Sequence, residues 1–224
     1  MLFQFVADLF TSFLLHSFIP LETLKGVITP IIKDKFMNVT MSDNYRPVMT
    51  SSVFLKLFEY CILIKLDPYI KVNDRQHGFR KNYSTATACF VLKETVLNYT
   101  NSGSNVYSCF LDISKAFDSV NHNILFNKLY KMEIPDYLIN VMRFWYGNQF
   151  VCVKYQDAFS DEWRLMNGVR QGGVLSGLLF SIYIDNLISK VSESALGCML
   201  GISKSNVIAY ADDIVIFAPS RPAL

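Results

Sequence analysis

Residues 207–217 (Val207-Ile208-Ala209-Tyr210-Ala211-Asp212-Asp213-Ile214-Val215-Ile216-Phe217) constrain the fold more than any other stretch of this chain. Two short apolar runs, with the β-branched and aromatic bias of buried strands, flank an acidic pair. The pattern predicts a hairpin with Asp212 and Asp213 at its tip. Two negative charges at the tip of a buried hairpin are costly unless something positive meets them. A divalent cation such as Mg²⁺ suits hard oxygen ligands. A solvated Asp-Asp turn has the same local pattern, because Asp favours turns, so the rest of the chain must discriminate.

The chain has 224 residues, enough for one large domain or two small ones. Apolar residues make up 51% and charged residues only 18%, against a usual charged share of about 25%. That composition fits a piece of a larger protein, or one that buries surface against a partner. A net charge of +2 does not mark a nucleic-acid binder by itself, so local basic clusters carry that question. Cysteines 61, 89, 109, 152 and 198 are scattered without C-x-x-C spacing, which argues for reduced thiols and against a disulfide framework or a zinc site. The N-terminus lacks a basic leader and carries Asp8 inside its apolar run, unlike a signal peptide. Apolar positions 3, 6, 10, 13 and 14 instead predict a soluble helix ending near Pro20. No run reaches the roughly 18 apolar residues of a membrane span. The expected location is intracellular, nuclear or cytoplasmic, without secretion or a membrane partner.

Along the chain, residues 26–33 read as a strand that Pro30 demotes to an edge or a bend, followed by a polar loop through Asp43-Asn44-Tyr45-Arg46-Pro47. Helices are expected over 50–70, capped by Thr50, Ser51 or Ser52, and over 84–99, 121–131 and 135–146. A strand is expected over 106–111, a hairpin over 150–156 and 162–166, and a helix from the Gly-rich turn at 172–173 to about Val191. This is an α+β mixture, with strands too dispersed for a doubly wound sheet.

Three further constellations carry chemistry. Phe110-Leu111-Asp112-Ile113-Ser114-Lys115-Ala116-Phe117-Asp118 places an acid at the end of an apolar strand, where it can reach another strand tip; Asp112 or Asp118 could equally cap a helix. Asn167-Gly168-Val169-Arg170-Gln171-Gly172-Gly173-Val174-Leu175-Ser176-Gly177 is a glycine-rich approach to an apolar helix, which lets backbone come close to a ligand. It is neither a Walker loop nor a dinucleotide fingerprint, and a bland Gly-rich turn fits it as well. Lys71, Arg75, Arg80 and Lys81 surround Gln76-His77-Gly78-Phe79, a basic and aromatic composition suited to phosphates and stacked bases, or to a solvated face.

Taken in order, these segments resemble the reverse transcriptases of non-LTR (LINE-type) retrotransposons, which also resemble those of group II introns. Phe110-Leu111-Asp112 through Asp118 is similar to that family's motif A, Arg170-Gln171-Gly172 through Phe180 to motif B, and Tyr210-Ala211-Asp212-Asp213 to motif C. Pro30-Ile31-Ile32-Lys33, Tyr45-Arg46-Pro47 and Gln76-His77-Gly78-Phe79-Arg80 resemble its upstream motifs. The resemblance implies a right-hand polymerase: N-terminal helix and fingers over 1–104, palm with a small antiparallel sheet over 105–218 (fingers elements interleaved at about 120–165), and a non-family tail at 219–224. It implies RNA-directed DNA synthesis on an RNA template and a DNA primer, from deoxynucleoside triphosphates. Asp112 and Asp212 would ligate two Mg²⁺ ions, or Mn²⁺, with Asp213 beside them. Lys33 and Arg46 would meet the triphosphate, and Phe117 would exclude a 2′-hydroxyl. Gln171 would border the nascent pair, and Gly172, Gly173, Arg80 and Tyr210 the template and primer.

Two departures bear on activity. Gly177 stands where the family usually has Pro, and the looser turn is expected to weaken nucleotide positioning. The chain is also expected to lack the next palm motif, the thumb and an upstream endonuclease, with Pro219-Ser220-Arg221-Pro222 as a non-helical tail. The competing expectations are an inactive relic or nucleic-acid-binding module, and an RNA-dependent RNA polymerase, against which Phe117 speaks.

Overall fold

The computed structural model describes residues 1–224. In chain order the elements are α1 (Leu2–His16), β1 (Gly26–Ile32), β2 (Tyr45–Thr50), α2 (Val53–Leu66), α3 (Thr85–Asn101), β3 (Tyr107–Asp112), α4 (His122–Lys131) and α5 (Asp136–Gly147). They continue with β4 (Phe150–Tyr155), β5 (Ala158–Phe159), β6 (Trp163–Arg164), α6 (Ser176–Glu193), β7 (Cys198–Leu200), β8 (Ser203–Ser205), β9 (Val207–Tyr210) and β10 (Asp213–Ala218). The fold is α+β. It divides into two compact units, each made of two stretches: Met1–Ile70 with Phe117–Ser176, and Lys71–Ala116 with Gly177–Leu224. The first division, after Ile70, places α3 in the unit of the C-terminal strands.

In the first unit β1 is a central strand. It pairs antiparallel with β2 from Val27–Thr50 to Ile32–Tyr45, and parallel with β4 at Gly26–Ile28 only. The expected loop at Tyr45-Arg46-Pro47 is therefore strand. Pro47 is tolerated because it lies opposite Pro30, and the Lys33 N–H bond to Asn44 sets a phase in which the 30/47 pair exchanges no hydrogen bonds. Pro30 also lies beyond the parallel ladder, so the strand is an edge there and interior at its start. β5 and β6 both fold back on β4. Ser52, of the three capping candidates, caps α2 by accepting the Leu55 N–H. Helix α1 stops at His16 with Ser17 left-handed (φ 49°), short of Pro20, and a 3₁₀ turn at Leu21–Leu24 follows. Phe10 packs on Phe54 and Phe58, and Phe58 stacks on Trp145 at 6.0 Å, so the core of this unit is aromatic.

In the second unit β10 is the middle strand of a three-stranded antiparallel sheet, order β3-β10-β9. Its face against α3 buries Ile208, Val215 and Phe217 with Cys198, and Ala88, Val91 and Leu92 pack onto them. Ser84 and Thr87 form a capping box that starts α3. An additional small hairpin, β7–β8, turns through Gly201 (φ 60°). The tail closes in a single 3₁₀ turn at Arg221–Ala223.

Candidate active site

The second unit gathers the acidic residues. Antiparallel register sets Asp112, the last residue of β3, directly opposite Asp213, the first of β10. Asp213 in turn faces Tyr210, so Ala211 and Asp212 alone form the turn. Ala211 is buried and left-handed, with φ 57°, unusual for a residue with a side chain. Strands β9 and β10 are buried as expected, but Asp112 and Asp213 are exposed and Asp212 half-buried. The desolvation cost anticipated for the acidic pair is thus small. What replaces it is repulsion: like charges directly opposite across two strands disfavour the pairing, and a cation between them relieves it.

No cluster of three His, Cys, Asp or Glu side chains gathers anywhere in the chain. The carboxylates nevertheless fit Mg²⁺, which is bound through one or two carboxylates plus substrate phosphates rather than in an all-protein cage. Beside them, between α3 and the sheet, lies a 350 Å³ cavity lined by Leu92, Phe110, Ile208, Tyr210 and Val215, with Asp112 and Asp213 at its margin. Arg80, expected at template or primer, has its guanidinium engaged inside this unit. It pairs with Asp74 at 3.0 Å, donates to the carbonyls of Asn73 and Gln76, and lies 4.3 Å over the Tyr83 ring. A phosphate reaching it competes with these partners. His77 bonds Thr87 through Nδ1 at 3.1 Å, and burial, then the Arg80 and Arg75 charges, hold its pKa below the usual value.

Gly177 also belongs to this unit, and the structure alters its meaning. A Cβ there would lie 2.3 Å from the ring of Phe79. The space beside Gly177 is taken by that aromatic ring, so a side chain here must displace Phe79, a packing constraint separate from the looseness of the turn.

The first unit gathers basic and glycine-rich parts. Arg46 lies opposite Ile31 in the β1–β2 ladder, and Lys33 continues the same face two residues on. Both are exposed, with Lys33 Nζ donating to the Asp43 carbonyl at 2.8 Å. The glycine-rich segment is tied down along its length. Gly168 N–H donates to Val120 O, Val169 N–H to Phe117 O, and Met49 N–H on β2 to Gln171 O. Gln171 Nε2 reaches the Asp118 carboxylate at 3.2 Å. Gly168 holds φ 91° with Asp118 backbone 3.0 Å from where a Cβ would stand, and Gly172 holds φ 106° against Met49 O at 3.0 Å. Half-buried Phe117, Gln171 and β2 are thereby brought together. Below them Glu59, fully buried, pairs with Arg170 and accepts the Val174 N–H at 3.2 Å, while Arg170 lies 4.5 Å over Trp145. A side chain at Gly173 would strike Ser176 Oγ at 2.6 Å and Glu59 Oε1 at 3.2 Å. Tyr146, wholly buried beside this pair, has its pKa pushed up to about 12 by loss of solvent.

The family described as reverse transcriptase (RNA-dependent DNA polymerase) matches residues 32–224. The chain belongs to that family. The reverse transcriptase domain is 26% identical over 190 residues to the Pol polyprotein of the type-2 retrotransposable element R2DM of Drosophila melanogaster, covering 85% of this chain and 18% of that protein. It is 27% identical over 180 residues to the R2 polyprotein of Nasonia vitripennis (80% of this chain, 18% of the relative). It is 28% identical over 184 residues to the RNA-directed DNA polymerase of the mobile element jockey of Drosophila funebris (80% and 19%). The chain thus spans under a fifth of the length of these relatives. Its fold is similar to that of apo telomerase from Candida tropicalis truncated from its C-terminal domain (TM-score 0.59, 14% identity, 92% of this chain and 46% of that one). Telomerase from Candida albicans, solved with a fragment of telomeric RNA, is similar too (TM-score 0.58, 13% identity, 92% and 40%). No helix of the reverse transcriptase domain is long and apolar enough to cross a membrane.

The structure also sets Glu59 and His122 against the glycine-rich segment, contacts that sequence reasoning did not foresee, and gives Asp118 and Gln76, read only as members of longer segments, specific partners. Glu59 left a signal: the single acid in a helix that is apolar on nearly every side. Asp118 read as a helix cap. His122, whose Nε2 lies 2.8 Å from Gly168 O, left none.

Proposed function

We propose that this chain is the polymerising core of a retrotransposon reverse transcriptase, extending a primer 3′-hydroxyl on an RNA template. The observation that carries the reading is the register of Asp112 against Asp213, with Asp212 in the β9–β10 turn next to it, inside a family match covering the chain from residue 32. The second unit is read as palm and the first as fingers. Asp112 and Asp212 would hold two Mg²⁺ ions, with Asp213 adding charge beside them. Such ions, when bound, activate the primer hydroxyl and neutralise the departing pyrophosphate. Lys33 and Arg46, on one face of the β1–β2 ribbon, would bind the triphosphate, Arg46 through its forked donors. Phe117, held beside the glycine-rich segment, would exclude a 2′-hydroxyl by bulk. Gln171, Gly172 and Gly173 would line the nascent pair.

Primer extension on an RNA template with Mg²⁺ tests the reading, with Asp112→Asn and Asp212→Ala as variants. The expected result is extension by the parent and a loss of at least about 10³-fold in either variant. Phe117→Ala is expected to raise ribonucleotide incorporation about 10–100-fold. A folded parent that extends no primer overturns the reading and favours a binding module derived from such a polymerase.

A further inference from the structure

We infer that Gln76 is a positioning residue for the acidic turn, a fixed clamp that aims Asp212; its role at the metal rests on the polymerase reading above. Strand β9 has a free edge on the side away from β10. Residues 75–77 cover that edge in a short parallel bridge: Ala209 N–H donates to Arg75 O at 2.8 Å and His77 N–H to Ala209 O at 2.7 Å. Backbone pairing stops there, and the Gln76 side chain takes over. Its Oε1 accepts the Ala211 N–H at 3.0 Å and the Gly78 N–H at 2.9 Å, and its Nε2 donates to Ala211 O at 3.2 Å.

A carboxamide holds an acceptor and a donor in one plane, so it meets both backbone groups of a single residue as a strand neighbour would. Ala211 is 7% exposed, and without Gln76 its N–H and C=O would be orphaned where water reaches them poorly. The clamp also offsets the cost of the left-handed backbone at Ala211. The approach is close enough to require Gly78, because a Cβ there would lie 2.3 Å from Ala211 N. Gln76 itself is fully buried. It touches no solvent and no substrate, and acts only through the backbone from which Asp212 projects.

The test uses the full chain with Gln76→Met, which keeps the side-chain length and removes all three bonds, and Gln76→Glu, which keeps the acceptor and loses the donation to Ala211 O. Three quantities are read: exchange of the Ala211 amide by NMR, affinity for Mn²⁺ alone by EPR of the free ion, and primer-extension kinetics. In Gln76→Met, Ala211 exchange is expected to accelerate on the order of 10-fold. Mn²⁺ affinity is expected to fall about 10–100-fold. The same loss should appear in kcat, while the KM for deoxynucleotide stays within about twofold. Gln76→Glu keeps the acceptor for the Ala211 N–H, so Ala211 exchange should stay near the parental rate while Mn²⁺ affinity and kcat fall; if Gln76→Met does not fold, parental Mn²⁺ affinity and kcat in Gln76→Glu overturn the inference. A lowered melting temperature with Ala211 exchange and Mn²⁺ affinity at parental values overturns the inference. A parent that neither binds Mn²⁺ nor extends primer fails the polymerase reading instead, and Ala211 exchange then still decides the clamp.

Discussion

Glu59 shows what a single buried charge can demand of its surroundings. Its carboxylate is met on one oxygen by the Arg170 guanidinium and on the other by the Val174 N–H, so one side chain braces both ends of the Gln171-Gly172-Gly173 turn. Glu59→Gln leaves a buried cation uncompensated and is expected to cost about 3–5 kcal/mol in urea unfolding. The double variant Glu59→Met with Arg170→Met should recover most of that stability, because two apolar side chains replace a desolvated pair. Tyr146 supplies a pH-dependent test. Burial raises its pKa to about 12, so the folded chain holds that proton more tightly than the unfolded chain. The resulting stability is complete below about pH 10 and is lost as pH rises toward 12, on the order of 2–3 kcal/mol in all. Tyr146→Phe should leave stability at pH 7 nearly unchanged and abolish this part of the alkaline decline in urea melts at pH 9 and 11. His77 has the opposite sign: its depressed pKa gives stability that is present above about pH 6.5 and lost as pH falls below it. At this scale the carboxylates of the acidic turn were legible because their neighbours along the chain announce them. Glu59 and His122 were not, and Gln76 was legible only as part of a segment, since each makes its contacts with a partner dozens of residues away.

Hairpins and helices carry most of what periodicity can foresee. The β9–β10 hairpin, the Ser52 and Ser84 caps and the helix after the glycine-rich segment follow from local chemistry. Strand β2 does not: two prolines read singly as breakers, and only their placement opposite each other makes them compatible with a ladder. Gly177 teaches the same lesson about helix entry, because the ring that explains it comes from Phe79. Gly177→Pro is expected to lower the melting temperature by several degrees, roughly 1–3 kcal/mol of overpacking, and not to improve nucleotide affinity. Adding Phe79→Ala should restore part of the loss, measured by thermal unfolding of the single and double variants.

Across the whole molecule, the chain passes between the two units three times, after Ile70, Ala116 and Ser176. Length allowed for two small domains, and α3 belongs with the sheet it covers. Long-range pairing of stretches that are separately unremarkable left no mark in local sequence. A fragment of residues 105–224 lacks α3 and Gln76, and is expected to lose cooperative unfolding by circular dichroism; adding residues 71–104 as a separate peptide should partly restore it. The interleaving has a consequence for descent. Because each unit is interrupted by the other, neither can be copied, fused or exchanged as one uninterrupted stretch of gene. The acidic sheet and the basic, glycine-rich half can therefore be transferred intact only together, on one stretch of gene that spans both.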